Sequence, residues 1–331
     1  MNRAGMAMEQ AIHGRVRSPL PIFNHAGGGF DFVRYRAHFV QGGGASRGWG
    51  MKLLRYGPMG KERPGLLDGD GKIRDLSGII ADVAGETISP KGLARLRKIK
   101  PESLPLVQGN PRIGACIANP QKFIGIGLNY SDHAAETGAQ VPKEPVIFTK
   151  QVNCLSGPND DVTLPPKSKK ADWEVELGVI IGTSAKNISK KDALANVAGY
   201  CTVNDVSERE FQAERSGQWT KGKSYDSFGP VGPWLVTTDE VPDPQKLRLW
   251  LELNGKRVQD GSTSTMVYGV AFLVAYVSQF FTLLPGDIIT TGTPPGVGLG
   301  MKPPRFLKVG DTMRLGVEGL GEQFQKVVRD K

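Results

Sequence analysis

The apolar positions of this chain fall in short runs broken by glycine and proline, and few of the runs keep a helical period. Met51-Lys52-Leu53-Leu54-Arg55-Tyr56 opens like a strand, and Asp68-Gly69-Asp70-Gly71 marks a turn between short strands. Ser89 followed by Pro90 predicts a helix start, with serine at the N-cap and proline at the first helical position, where no amide hydrogen is needed. From about residue 120 onward, strand-like runs alternate with turns rich in Gly and Pro. The Val/Ile/Leu-rich run from Val175 to Ile181 reads as a strand entering an apolar core. Asn254-Gly255, set between Leu247–Leu253 and Lys256-Arg257-Val258, is a hairpin signal because both residues tolerate the left-handed backbone of a tight turn. Pro285-Gly286-Asp287 and Val309-Gly310-Asp311 each lead into a further strand-like segment. The pattern is that of an α+β domain dominated by mixed or antiparallel sheet, not a doubly wound nucleotide fold.

Two stretches stand apart. Met266 to Leu284 carries no charged residue and is long enough to raise the question of a membrane span. It contains Gly269, Ser278, Gln279 and Thr282 and stops at Pro285-Gly286-Asp287, so a buried core helix is expected and no membrane. Residues 1–50 hold two glycine triplets, no sustained period and no apolar core of a signal peptide. They are expected to be a disordered extension or an upstream over-read, with Met51 as the true start. Residues 51–115 then read as a small N-terminal α+β domain and residues 116–331 as the catalytic domain.

Composition narrows the classes. The formal charge is +9, and residues 1–50 hold six arginines against Glu9 and Asp31, so the rest is only mildly basic. No stripe of Lys/Arg interleaved with aromatics is present, which argues against a nucleic-acid partner; the Lys167 to Lys170 cluster reads as a solvated loop. Cys116, Cys154 and Cys201 are odd in number and widely spaced, as reduced thiols of a cytoplasmic protein would be. Gly125-Ile126-Gly127 lacks the third glycine of a dinucleotide fingerprint.

The chemistry concentrates in a few segments. Glu174 and Glu176 lie two apart on the predicted strand and therefore share a face, with Asp205 following in Thr202-Val203-Asn204-Asp205. Like charges held together at the mouth of an apolar run are costly unless a cation or strong donors compensate; a hard divalent ion does so directly, and an oxygen-only ligand set favours Mg2+ or Mn2+, with Ca2+ compatible. The alternative is the solvated face of a half-exposed strand. His13, His25 and His38 lie in the first fifty residues, which leaves His133 as the sole histidine of the body. It stands three residues before Glu136 on a short predicted helix, where a carboxylate can fix the imidazole tautomer of a water-activating base; a surface pair is the other reading. Lys223, in a glycine-rich aromatic segment, can stabilise a developing enolate or carboxylate, or be a surface lysine. Arg209 and Gln212 share a face of a helix expected to start near Val206: Gln212 can donate to a substrate oxygen, and Arg209 can equally be a structural ion-pair partner. The Thr290 to Gly298 segment forms a turn whose amides and hydroxyls can bind a carboxylate or simply stiffen the loop.

Together these segments resemble the fumarylacetoacetate hydrolase family from Met51 to the C-terminus. The motifs that carry the resemblance are G-x-N-Y-x-x-H-x-x-E at Gly127 to Glu136, the family's E-x-E-L-x-x-V-I-G at Glu174 to Gly182 with Ile180 in the valine place, and N-D-V-S-x-R at Asn204 to Arg209. Q-W-x-x-G-K-x-x-D-x-F-x-P-x-G-P follows at Gln218 to Pro233, and P-G-D-x-I-x-T-G-T-P-x-G-V-G closes the set at Pro285 to Gly298. The resemblance implies a mixed β-sandwich roll, metal ligands at Glu174, Glu176 and Asp205, a His133–Glu136 dyad, and Lys223 near the substrate. It further implies substrate contacts from Gln212 and Thr293, and a homodimer. The wording of Gln218-Trp219 and of Phe228 to Thr237 is most similar to bacterial members that hydrolyse 2,4-diketo-3-deoxy sugar acids.

The expected activity is thus metal-dependent hydrolysis of a C–C bond in a β-diketo acid, releasing pyruvate or a related 2-oxo acid. Oxaloacetate decarboxylation, keto-enol tautomerisation and ureidoglycolate lysis on the same platform are the nearest rivals. A non-catalytic binding protein stabilised by a cation is the rival of another class.

Overall fold

A computed structural model of the protein describes residues 50–132, 136, 140 and 142–330. The first forty-nine residues, together with His133, therefore lie outside the described residues.

The expected turns organise the strands that follow. β1 (Lys52–Tyr56) and β2 (Arg63–Leu67) pair antiparallel, and the Asp68 to Gly71 turn returns the chain into β3 (Ile73–Asp75). Helix α1 (Pro90–Leu96) starts where the sequence places it, with the Ser89 side chain accepting from the Gly92 amide at 3.1 Å. β4 (Phe123–Gly127) and β5 (Val146–Lys150) form the next antiparallel pair. The short strands β6 (Leu155–Ser156), β7 (Val162–Leu164) and β8 (Ala171–Asp172) lead to β9 (Val175–Ile181) and β10 (Val197–Asn204), which are buried along their whole length. β11 (Ser207–Glu208) pairs with β8, and β12 (Gly229–Thr237) returns alongside β10.

One large sheet runs in the order β3-β2-β1-β12-β10-β9 and continues through β15 (Ile288–Thr290) to β4 and β5. Segment 51–115 contributes three strands to it through the β1–β12 pairing. A second sheet is built from β13 (Arg248–Leu253), β14 (Lys256–Ser262), β16 (Thr312–Val317) and β17 (Gly321–Arg329), with β7 at its edge. Asn254 and Gly255 join β13 to β14 with φ of 52° and 77°, as the hairpin signal requires. The second sheet packs on β9, β10 and β12, giving the mixed β-sandwich roll. Glutamines stitch the layers: Gln323 donates to Thr202 O at 2.8 Å, and the Asn204 amide donates to Gln325 at 3.1 Å.

One helix expectation holds over a shorter span, and another is revised. The apolar stretch from Met266 supplies only one eight-residue helix, Val270–Val277, and no described helix is long and apolar enough to cross a membrane. The helix expected from Val206 begins later, as a wide π-type turn at Glu210–Glu214. Ser207 and Glu208 instead pair with Asp172 and Ala171, because that bridge satisfies backbone groups at a fully buried position.

Candidate metal centre and active site

The register of β9 against β10 sets Glu176 opposite Val203 and Val175 opposite Asn204, so Asp205 emerges beside Glu174 and Glu176. Ligand oxygens of Glu174, Glu176 and Asp205 lie within 4.8 Å of one another, and all three residues are buried. The sheet thus gathers side chains that would repel in water. Cations answer part of that charge. Lys223, at the end of a one-turn helix (Thr220–Lys223), donates to Glu174 Oε2 and Asp205 Oδ2, each at 2.7 Å. Lys150, at the end of β5, donates to Asp205 Oδ1 at 2.6 Å and also to the backbone oxygens of Val206 and Lys223. Arg209 reaches Glu174 Oε1 at 2.7 Å and Asp172 Oδ2 at 2.9 Å.

These contacts form a line of alternating charge, Asp172, Arg209, Glu174, Lys223, Asp205 and Lys150, in which three carboxylates meet three cations. Glu176 is the surplus carboxylate. Its Oε2 accepts from the Thr290 hydroxyl and from the Gly292 amide at 2.8 Å, both neutral donors. Burial pushes its carboxyl well above the ordinary range, and the charges of Asp205 and Glu174 push it further. For Lys223 burial works against the ammonium, yet the charges of Asp205 and Glu174 outweigh it and raise its pKa. The same contest at Arg209, with Glu174 and Asp172 opposing burial, ends the same way. The Tyr130 hydroxyl, fully buried and close enough to Glu176 to feel its charge, has no hydrogen-bond partner among the described residues. An oxygen-only donor set that includes one buried carboxylate with no cationic partner among the described residues fits a hard divalent cation held by Glu174, Glu176 and Asp205.

Aromatic rings cover Lys223. The ammonium lies 4.9 Å from the Phe148 ring centroid, and Phe148 meets Trp219 at 5.5 Å. Gly125 and Gly127 make this possible: a Cβ on Gly125 would stand 2.2 Å from Phe148, and one on Gly127 would stand 2.3 Å from Trp219. The glycine pair that fails as a nucleotide fingerprint is a seat for two rings.

The structure brings other sequence-selected residues into the same region. Gln212 accepts from Arg209 Nη1 at 3.1 Å through its side-chain oxygen and is buried beside it. Thr293 donates its hydroxyl to Val175 O at 2.9 Å and accepts from Gln259 Nε2 at 2.8 Å, so that hydroxyl fixes the turn to β9. Glu136, on a helical residue, accepts the Gly296 amide on both carboxylate oxygens, at 3.0 and 3.1 Å. His133 lies outside the described residues. Sequence reasoning missed Lys150 and Asp172. Asp172 stands two residues before Glu174 and accepts from the Gly298 and Leu299 amides at 2.7 and 3.0 Å. Its signal was proximity to the E-x-E pair, whereas Lys150 offers none in local sequence.

Residues 122–328 match the model of the fumarylacetoacetate hydrolase C-terminal domain. A protein of Burkholderia cenocepacia, provisionally named a hydrolase, is 65% identical over 277 residues, which is 83% of this chain and 98% of its own. Among solved structures, 2-hydroxyhepta-2,4-diene-1,7-dioate isomerase from Mycobacterium marinum superposes with a TM-score of 0.65 at 32% identity, covering 85% of this chain and 99% of that one. Maleylpyruvate hydrolase from Sphingobium sp. SYK-6, in complex with manganese(II) and pyruvate, gives 0.71 at 29% identity over 85% of this chain and 100% of its own. With the family model spanning more than half the chain and the motifs converging on one buried centre, this protein belongs to the fumarylacetoacetate hydrolase family.

Proposed function

We propose that the protein is a divalent-metal-dependent hydrolase that cleaves a C–C bond in a β-diketo acid, of the 2,4-diketo-3-deoxy sugar acid or acylpyruvate type, releasing pyruvate or a related 2-oxo acid. The observation that carries this reading is Glu176, the one carboxylate of the buried cluster without a cationic partner among the described residues. Glu174, Glu176 and Asp205 are assigned to Mg2+ or Mn2+, with Ca2+ also compatible; when bound, such an ion supplies Lewis acidity toward the 2-oxo-carboxylate end of a substrate. The manganese and pyruvate in the maleylpyruvate hydrolase complex support both the ion class and the product class.

The chain's own groups supply the rest. His133 takes a proton from the attacking water, and Glu136 steadies the imidazolium so formed. The water oxygen bonds to the distal carbonyl carbon. As that adduct collapses, the C–C bond breaks and its electron pair passes to the 2-oxo acid fragment as an enolate, which takes up the proton that His133 removed from water, while the other fragment leaves as a carboxylic acid. Lys223, fixed between Glu174 and Asp205, is a standing positive charge for the enolate. Gln212 and Thr293 are assigned to the substrate side, and Arg209 adds to it through its place beside Glu174. We take the enzyme to be cytoplasmic and homodimeric.

A tautomerase or decarboxylase on the same platform is the second reading, favoured by the isomerase among the structural neighbours. It needs the enolate but no attacking water. The test is a panel of 2,4-diketo sugar acids, acylpyruvates and oxaloacetate assayed with Mg2+, with Mn2+ and with chelator. Hydrolysis of a diketo acid that is lost in chelator and in His133→Ala is the expected result. Decarboxylation or tautomerisation alone transfers the assignment to the second reading, and a chelator-dependent fall in Tm without turnover of any substrate makes the protein a metal-stabilised binder.

A further inference from the structure

The turn from Gly296 to Gly300 faces two carboxylates. On one side Gly298 and Leu299 donate their amides to Asp172, which is tied through Arg209 to Glu174. On the other side Gly296 donates its amide to both oxygens of Glu136. Glu136 is thus indexed to the acidic centre through a few bonds of backbone.

The three glycines of this turn are required for different reasons. Gly296 has φ of +104°, and a Cβ there would lie 1.9 Å from the Val258 carbonyl oxygen. At Gly298 a Cβ would lie 1.8 Å from the Arg305 carbonyl oxygen. Both positions are closed by backbone that cannot move aside cheaply. Gly300 differs. Its backbone is not in the left-handed region, and the nearest atoms to an added Cβ are all in one side chain: Glu136 Cδ at 2.6 Å, Oε2 at 2.9 Å and Cγ at 3.0 Å. A single methyl group there meets the Glu136 carboxylate and nothing else within that range.

We propose that Gly300 is a positioning residue: the space left by its missing side chain is the seat of the Glu136 carboxylate, and it holds that carboxylate against the Gly296 amide. The proposal rests on the catalytic role given to Glu136 above for its effect on turnover, but not for its effect on the Gly296 amide. Gly300→Ala displaces the carboxylate while the fold accepts the methyl group.

The experiment compares wild type, Gly300→Ala, Glu136→Ala and the double variant. With the diketo acid found in the substrate panel, Gly300→Ala is expected to lower kcat about tenfold to a hundredfold, the scale of a reacting group misplaced by about 1 Å. Mn2+ affinity measured by calorimetry stays within about twofold, and Tm within about 2 °C, as for substitutions that disturb no packed core. Since both changes act through one carboxylate, adding Gly300→Ala to Glu136→Ala should lower kcat no further. Independently of activity, hydrogen exchange at the Gly296 amide should quicken in Gly300→Ala and to the same extent in Glu136→Ala. Wild-type exchange at Gly296 in Gly300→Ala, or losses that add in the double variant, overturns the proposal. Should Gly300→Ala fail to fold, unchanged Gly296 exchange in Glu136→Ala overturns it equally. Absence of diketo-acid turnover in wild type counts against the hydrolase reading alone, because the exchange result still judges the seat.

Discussion

Replacing Lys150 by Met keeps most of the volume of a side chain that is fully enclosed but removes its ammonium. Asp205 Oδ1 then loses its 2.6 Å partner, and the backbone oxygens of Val206 and Lys223 lose a donor. The buried cluster, in which Glu176 already has no cationic partner, loses one of its three positive charges. Breaking a buried pair by deleting one partner costs about 3–5 kcal/mol, because the remaining charge stays out of water. At about 2 °C per kcal/mol for a chain of this size, Tm in chelator should fall by about 6–10 °C. The extra negative charge has a second effect: a divalent cation now relieves more repulsion. Mn2+ at about one hundred times Kd stabilises any variant by about 2.7 kcal/mol, so at one fixed Mn2+ concentration the upward Tm shift should be larger in Lys150→Met than in wild type. Differential scanning calorimetry with chelator and with Mn2+ reads both quantities. A Tm in chelator within about 2 °C of wild type, on the same scale, would refute the charge-line argument, and a smaller Mn2+ shift would show that Lys150 acts mainly by orienting Asp205.

Other expectations follow from the same contacts. Glu176→Gln removes the carboxylate that has no cationic partner and whose charged form burial disfavours, so its Tm in chelator should equal or exceed that of wild type while the Mn2+-induced shift disappears; thermal melts with and without metal check this. Gly298→Ala, unlike its neighbour at 300, drives a Cβ into the Arg305 carbonyl oxygen and should leave little soluble folded protein, as judged by expression and circular dichroism. Asp68 supplies a pH test: burial alone would raise its carboxyl, but the Lys72 amide, Arg74 and the Asp70 amide hold it below the ordinary 3.8. A depressed carboxylate stabilises the fold above its unfolded-state pKa and loses that contribution as pH falls through its folded value. The stability gap between wild type and Asp68→Asn in urea titrations should therefore be widest near neutrality and close below pH 3.8.

Those parts of the fold that depend on neighbouring residues could be read from the chain. Ser89 and Pro90 start a helix, Asn254 and Gly255 turn a hairpin, and two glutamates two apart on an apolar strand share a face, because each inference needs only local backbone geometry. Residues gathered by sheet topology were harder. Lys150 reaches Asp205 across 55 residues, and in Val146-Ile147-Phe148-Thr149-Lys150 it looks like the ordinary charged end of an edge strand. Nothing local distinguishes it from a solvated lysine, since its burial depends on which strands become neighbours. The helix expected after Val206 failed for a related reason. Val206 to Glu208 carry no helix-breaking residue, but the bridge to Ala171 and Asp172 decides their conformation from outside the segment. Gly125 and Gly127 show the same limit, because what a glycine makes room for is invisible until its neighbours are known.

Glu174, Glu176 and Asp205 sit at the rung where β9 and β10 end their pairing, with Val203 opposite Glu176 and Asn204 opposite Val175. Both strands are enclosed by neighbours on either edge and by a second sheet above. The spacing of the three carboxylates is therefore a property of ladder hydrogen bonds, and no loop hinge can widen or narrow it without prying the sheet apart. Mechanically the centre is stiff, and an arriving ion meets oxygens that are already spaced. Changes in the connecting segments around it can then alter what the site admits while the spacing of the carboxylates stays constant.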